Sequence, residues 1–197
     1  MPDASPIRSR DDEPCTTDKR LAVHVADGGA SLPADLMHRL SDAIADAGRL
    51  LGACGEVRVR VVLDAEMARS HEEFTGVPGT TDVLTFDLTD PDDNPIDRPT
   101  VTLRDGGIVV GRSCLVDADI LVCVDEATRQ AKARGHEPFR ELLLYSIHGL
   151  LHCLGHDDHD EAAFAAMHAV EDAVLAALGV GPVFRRPEIE RAGGAAT

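Results

Sequence analysis

Residues 148–159 read His148-Gly149-Leu150-Leu151-His152-Cys153-Leu154-Gly155-His156-Asp157-Asp158-His159, and the apolar run Leu142-Leu143-Leu144 leads into them. Two histidines at i and i+4 point the same way on an α-helix of about 3.6 residues per turn. Gly155 can end that helix, because glycine accepts a positive φ at little cost. Chain beyond the glycine can fold back and present a third ligand. The offset from Gly155 selects Asp158, and one place further on it selects His159. His156 directly follows the turn and is the weaker third candidate. Two imidazoles plus a carboxylate or a third imidazole suit Zn²⁺ with one position open, and Ni²⁺ accepts the same donors.

A plainer account is a histidine-rich helix end, since cationic side chains are favoured near C-terminal helix carbonyls. One histidine there would need no comment. Two at this spacing, followed by the glycine and a polar group at the right offset, are much harder to obtain by chance. A purely structural zinc site usually closes with four protein ligands, often including cysteine. Cys153 projects about 100° away from His152 on the helix, which places it in the core. Zinc peptidases of the His-Glu-x-x-His type keep a glutamate base after the first histidine. Here that position is Gly149, so peptide hydrolysis of that kind is not expected.

The remaining chain predicts alternating strands and helices. Arg20 to Val25 reads as a first strand, closed by Asp27-Gly28-Gly29. Ser31 can cap a following helix, with Pro33 in its first turn and Leu36, Leu40 and Ile44 on one face. Glu56 to Val61 alternates as a half-wet strand, and Val62 and Leu63 continue it. A short helix over 65–74, a turn at Pro78-Gly79 and a strand over 82–88 come next. Residues 89–106 are loop-like, with a two-strand excursion through Val101–Leu103 and Ile108–Val110. The apolar run 119–124 suits a buried central strand. Asp125 can cap a helix ending at Gly135, Pro138 opens the histidine helix, and a last helix spans 160–178 with Phe164, Met167, Val170, Val174 and Leu178 on one face. The polar segment 1–19 is expected to be a disordered extension, 20–179 one metallohydrolase-like domain, and 180–197 a flexible tail.

A net charge of −16 is awkward for a general nucleic-acid binder, which needs positive charge against phosphate. It does not locate a local basic patch, and a soluble acidic surface explains it simply. No run approaches the roughly 20 apolar residues that span a bilayer, and the polar N-terminus has no secretory h-region. The expected compartment is the cytoplasm, with no membrane partner. The five cysteines are odd in number and form no C-x-x-C pair, which argues against a disulfide framework.

The histidine stretch closely resembles the signature His-Gly-x-Leu-His-Leu-x-Gly-Tyr-Asp-His of the YbeY-type endoribonucleases, the rRNA maturation factors. Thr81-Asp82-Val83-Leu84-Thr85-Phe86 is similar to that family's Thr-Asp-Val-Leu-Ser-Phe, and Ala118-Asp119-Ile120 to its Gly-Asp-Ile strand. The resemblance runs from about Leu21 to Leu178. It implies an α+β fold, with a small mixed, mostly parallel sheet flanked by helices and a metal site on a helix-turn. It also implies one bound metal, usually zinc, and cleavage of single-stranded RNA in 16S rRNA 3′-end maturation and ribosome quality control. The partners it implies are rRNA, the ribosome and ribosomal proteins, with no DNA.

Two positions depart from the family pattern. Its third histidine falls on Asp158, with His159 one place late. Its arginine six residues before the threonine of the second block is Thr75 here. Arg69, Arg129 and Arg140 are possible substitutes, each with an ordinary surface role as the simpler account. The expected metal group is therefore His148, His152 and Asp158, with His159 as the alternative third ligand. Thr81 and Asp82 are candidate cleft residues, although Asp82 and Asp87 could equally be strand-end caps. His71 is expected to be structural or on the surface. A non-catalytic assembly factor with a structural zinc, or a metallohydrolase of another substrate class, stands as the alternative function.

Overall fold

The computed structural model describes residues 20–90 and 100–184. The expected N-terminal extension 1–19, the centre of the loop at 91–99 and the end of the tail at 185–197 lie outside the described residues.

The elements run β1 (Leu21–Asp27), α1 (Ala34–Leu51), β2 (Ala53–Val62), α2 (Asp64–Thr75), β3 (Val83–Asp87), β4 (Val101–Arg104), β5 (Gly107–Val110), β6 (Cys114–Cys123), α3 (Val124–Arg134), α4 (Pro138–Cys153) and α5 (Glu161–Ala177). The fold is α+β. The main sheet has the order β1-β2-β6-β3, and β4 and β5 form a separate hairpin. β1, β2 and β6 are parallel, and β3 lies antiparallel to β6 at one edge. This is the small, mostly parallel sheet with flanking helices that the resemblance implied.

Burial explains the layering. The odd-numbered side chains Val57, Val59 and Val61 and the even-numbered Ala118, Ile120 and Val122 join α1, α4 and α5 in the main core. On the other face Val62, Met67 and Cys123 form a smaller cluster, with Leu84 and Leu121 packed against it. β6 begins at Cys114, five residues before the expected strand. Its first half alternates buried and exposed, which reads as a half-wet strand once the pairing with β2 is known. Ser31 is not the cap of α1. It adopts a φ of 55°, and Pro33 occupies the N-cap. Asp125 lies inside α3, and its carboxylate accepts from the Asp64 amide instead.

The helix carrying the histidines is the most enclosed element. After its first turn, every residue of α4 is buried except His148 and His152. Leu142, Leu143, Ile147, Leu150 and Leu151 are completely buried, each stabilising the fold by about 1.5–3 kcal/mol. Gly149 faces the sheet, where an added Cβ would sit 2.5 Å from Thr85 Oγ1 and 3.1 Å from Ile120 Cδ1. Glycine here is what lets α4 approach β3 and β6 so closely. The cysteine reading needs one correction: Cys54 is disulfide-bonded. Cys114, Cys123 and Cys153 are buried free thiols.

Candidate metal centre

The end of α4 builds the turn that the spacing predicted. Gly155 has a φ of 82°, and its amide donates to the His152 carbonyl at 3.0 Å. The His156 amide reaches back to the Leu151 carbonyl at 3.0 Å. Thr100, just before the β4–β5 hairpin, donates its amide and hydroxyl to the Leu154 carbonyl at 3.2 and 3.3 Å. These bonds satisfy helix-end carbonyls that would otherwise be unpaired. They also fix where the returning chain places Asp158.

His148, His152 and Asp158 come together, each half-buried and each offering a ligand atom within 4.8 Å of the others. The Nε2 atoms of the two histidines face each other at 3.0 Å. Asp158 Oδ2 is 3.8 Å from His148 Nε2. The outward nitrogens are both engaged. His148 Nδ1 is 2.8 Å from Glu171 Oε1, and His152 Nδ1 is 3.1 Å from the His156 carbonyl. A carbonyl only accepts, so His152 Nδ1 carries the hydrogen. A carboxylate likewise selects the Nδ1–H form of His148. In the neutral tautomers, two bare Nε2 lone pairs therefore point at the same place. That arrangement is repulsive unless a cation lies between them, and about 3.3 Å is the separation expected for two imidazoles on one tetrahedral zinc. The donor set fits a divalent metal.

The other third-ligand candidates are placed differently. His159 is largely exposed and turns its Nδ1 to Asp157 Oδ1. With Asp157 and Asp158 it forms a second, more exposed candidate ligand group that shares Asp158 with the first. The His156 side chain is buried, and burial pushes its pKa down. Its backbone carbonyl, not its ring, serves the site.

Sequence reasoning missed Glu171. It is completely buried on α5 and bridges His148 and His168, the latter at 2.5 Å. Burial alone would raise its pKa, but the two histidine hydrogen bonds outweigh this and hold the carboxylate below its ordinary value. For His148, burial alone would lower the pKa. Glu171, Asp158 and Asp82 together outweigh it and raise the value. The signal was present: 164, 167, 171, 174 and 178 share one helical face, and Glu171 is the only charged member. A buried carboxylate on the outer nitrogen of a ligating histidine fixes its tautomer and raises its basicity.

β3 closes the site. Thr81, Asp82, Thr85 and Asp87 line a cleft of about 440 Å³ together with His148, His152, Cys153 and Asp158. Thr81 and Asp82 are thus among the residues lining the cleft, and Asp82 Oδ1 accepts from the Thr81 hydroxyl and the Val83 amide, both at 3.0 Å. Burial pushes the Cys153 thiol up to about 12, so it remains protonated. No arginine or lysine is among the described residues lining this cleft. Arg129 is paired to Asp64 and Glu126, Arg140 donates to the Gly181 and Pro182 carbonyls, and Arg69 is exposed on α2. His71 hydrogen-bonds the Gly79 carbonyl at 2.9 Å, a structural role.

The family model described as endoribonuclease YbeY matches residues 31–179. The chain belongs to the YbeY family. An endoribonuclease YbeY of Chloroflexus aggregans is 33% identical over 157 residues, covering 79% of this chain and 94% of the relative. Another, of Moorella thermoacetica, is 36% identical over 149 residues, covering 74% and 88%. The YbeY match contains the whole histidine–aspartate group, Glu171 and all of β3.

Proposed function

We propose that this YbeY-family chain is a metal-dependent endoribonuclease that hydrolyses phosphodiester bonds in single-stranded RNA. The observation that carries the reading is the facing pair of Nε2 atoms on His148 and His152, with Asp158 beside them in an open cleft. We assign His148, His152 and Asp158 as the ligands of one Zn²⁺. A divalent ion held there supplies Lewis acidity toward a phosphoryl oxygen and toward an attacking hydroxyl or water.

The chain's own groups do the rest. Glu171 and the His156 carbonyl hold the two imidazoles in the tautomer that presents Nε2 to the cleft. Asp82 and Asp87, outside the ligand group, put proton acceptors along the same wall. Gly149 leaves no base in the peptidase position. The family's name supports RNA as substrate. We extend this to 16S rRNA 3′-end maturation and ribosome quality control, with rRNA and ribosomal proteins as partners in the cytoplasm. No helix among the described residues is long and apolar enough to cross a membrane.

The test is cleavage of a single-stranded oligoribonucleotide by rigorously nuclease-free protein. His148→Ala should abolish it, and chelation followed by Zn²⁺ should remove and restore it. Cleavage unchanged in His148→Ala overturns the reading. One observation favours a second reading, a non-catalytic assembly factor with a structural metal: the cleft lacks cationic side chains among its described lining residues. That alternative predicts unfolding on metal removal, and no cleavage under any condition.

A further inference from the structure

Next to the candidate metal centre is a second cavity of about 310 Å³. It shares Asp82, His148 and Asp158 with the cleft, so the two spaces meet at the ligand group. One part of its wall is aromatic. The His168 ring stacks on Phe184 with centroids 3.9 Å apart and planes 28° apart, and Phe164 meets the same imidazole edge-on at 3.9 Å. Two of the chain's five phenylalanines therefore stand here 49% and 39% exposed, a placement that core packing does not explain.

The platform is held by two consecutive buried carboxylates. Glu171 fixes the His168 ring through Nδ1, with its other oxygen on His148. Asp172, 3% exposed, accepts the Val183 and Phe184 amides at 2.7 and 3.0 Å. Arg140 holds the Gly181 and Pro182 carbonyls just before them. Arg134 stands over the Phe184 ring at 5.8 Å, and its Nη1 is fixed by both oxygens of buried Glu141. Phe184 lies beyond residues 31–179, so the family match does not account for it.

We propose that this cavity receives an unpaired nucleobase of the RNA, stacked on the Phe164–His168–Phe184 platform beside the phosphodiester at the metal centre. The inference rests on the RNA-cleaving reading above. Stacking is tolerant of sequence, because every base has a π-face. It also needs no positive charge. A chain of net charge −16 has no arginine or lysine among the described residues lining its cleft, and in the second cavity only Arg134, already paired with Glu141, so it cannot rely on neutralising many phosphates. A base within a duplex has both faces covered by its neighbours, so the platform admits single strands and rejects paired ones.

The experiment uses the full chain loaded with Zn²⁺ and a short single-stranded oligoribonucleotide carrying 2-aminopurine, whose fluorescence is quenched on stacking. Wild type should quench it. Phe184→Leu keeps apolar bulk but removes the π-face, and should lose the quenching and bind about tenfold more weakly with unchanged zinc stoichiometry. Phe164→Leu should weaken binding in the same direction, and Phe184→Trp should restore both signals. Wild type that cleaves RNA, with a folded Phe184→Leu that quenches and binds as tightly, overturns the stacking proposal alone. Wild type that neither binds nor cleaves RNA overturns the RNA reading and the platform with it. The wild type alone therefore separates the two failures.

Discussion

Oε1 of Glu171, on the last helix, lies 2.8 Å from Nδ1 of His148, on the central helix. Because Glu171 is completely buried, the contact is shielded from solvent and keeps His148 in one orientation. Glu171→Gln should therefore weaken zinc binding by about 10–100-fold while leaving the three proposed ligands in place. Competition with a chromophoric chelator measures this. Unchanged affinity would show that the contact does not tune the ligand.

The two candidates for the third ligand separate by mutation. Asp158 shares a point with both histidines, whereas His159 is turned to Asp157. Asp158→Ala should abolish stoichiometric zinc binding, and His159→Ala should leave it within about twofold, since an exposed side chain outside the ligand set contributes little. Metal content of the purified variants, read by mass spectrometry under native conditions, decides between them.

Gly149→Ala should destabilise the protein by about 1–3 kcal/mol, the range for overpacking a tight contact. The added carbon would meet Thr85 Oγ1 at 2.5 Å. Removing that oxygen in Gly149→Ala/Thr85→Ala should recover part of the loss. Urea denaturation of the four proteins of the cycle reads the coupling.

An acid-dependent contribution is expected where α2 meets α3. Both oxygens of Asp64 accept from Arg129, which holds its carboxyl below the usual carboxylate range. A carboxylate depressed in the folded state stabilises the fold above its unfolded pKa, and the gain fades as pH falls through the folded value. Both partners are more than a third exposed, so screening limits the contribution to about 1 kcal/mol or less. Asp64→Asn should thus be less stable than wild type at pH 7, and the two should converge below about pH 3.8. Parallel denaturation curves at several pH values provide the check.

The clustering of the candidate ligands was legible because helix periodicity and one glycine are local properties. His148 and His152 share a face whatever the rest of the chain does, and Gly155 decides where the next residues go. The strands were legible through alternation and apolar runs, except for the first half of β6, whose exposed positions Leu115 and Asp117 blurred the pattern. Glu171 was hidden for a different reason. Its role depends on α5 crossing α4, and only tertiary packing brings a residue 23 positions from His148 to within hydrogen-bond distance. The aromatic platform is equally non-local, since Asp172 must bring residues 183 and 184 back over the same helix. Cys54 escaped because spacing alone does not reveal a pairing.

The tight contact at Gly149 also bears on what this scaffold can become. Installing the glutamate of a zinc peptidase at that position is a single substitution, yet its Cβ would sit 2.5 Å from Thr85 Oγ1 and 3.1 Å from Ile120 Cδ1. The Thr85 side chain would have to give way before the base could be seated, and Thr85 lines the cleft. Acquiring a peptidase base would therefore perturb one wall of the cleft it was meant to serve. A designer or a lineage seeking that activity would have to change Thr85 together with Gly149.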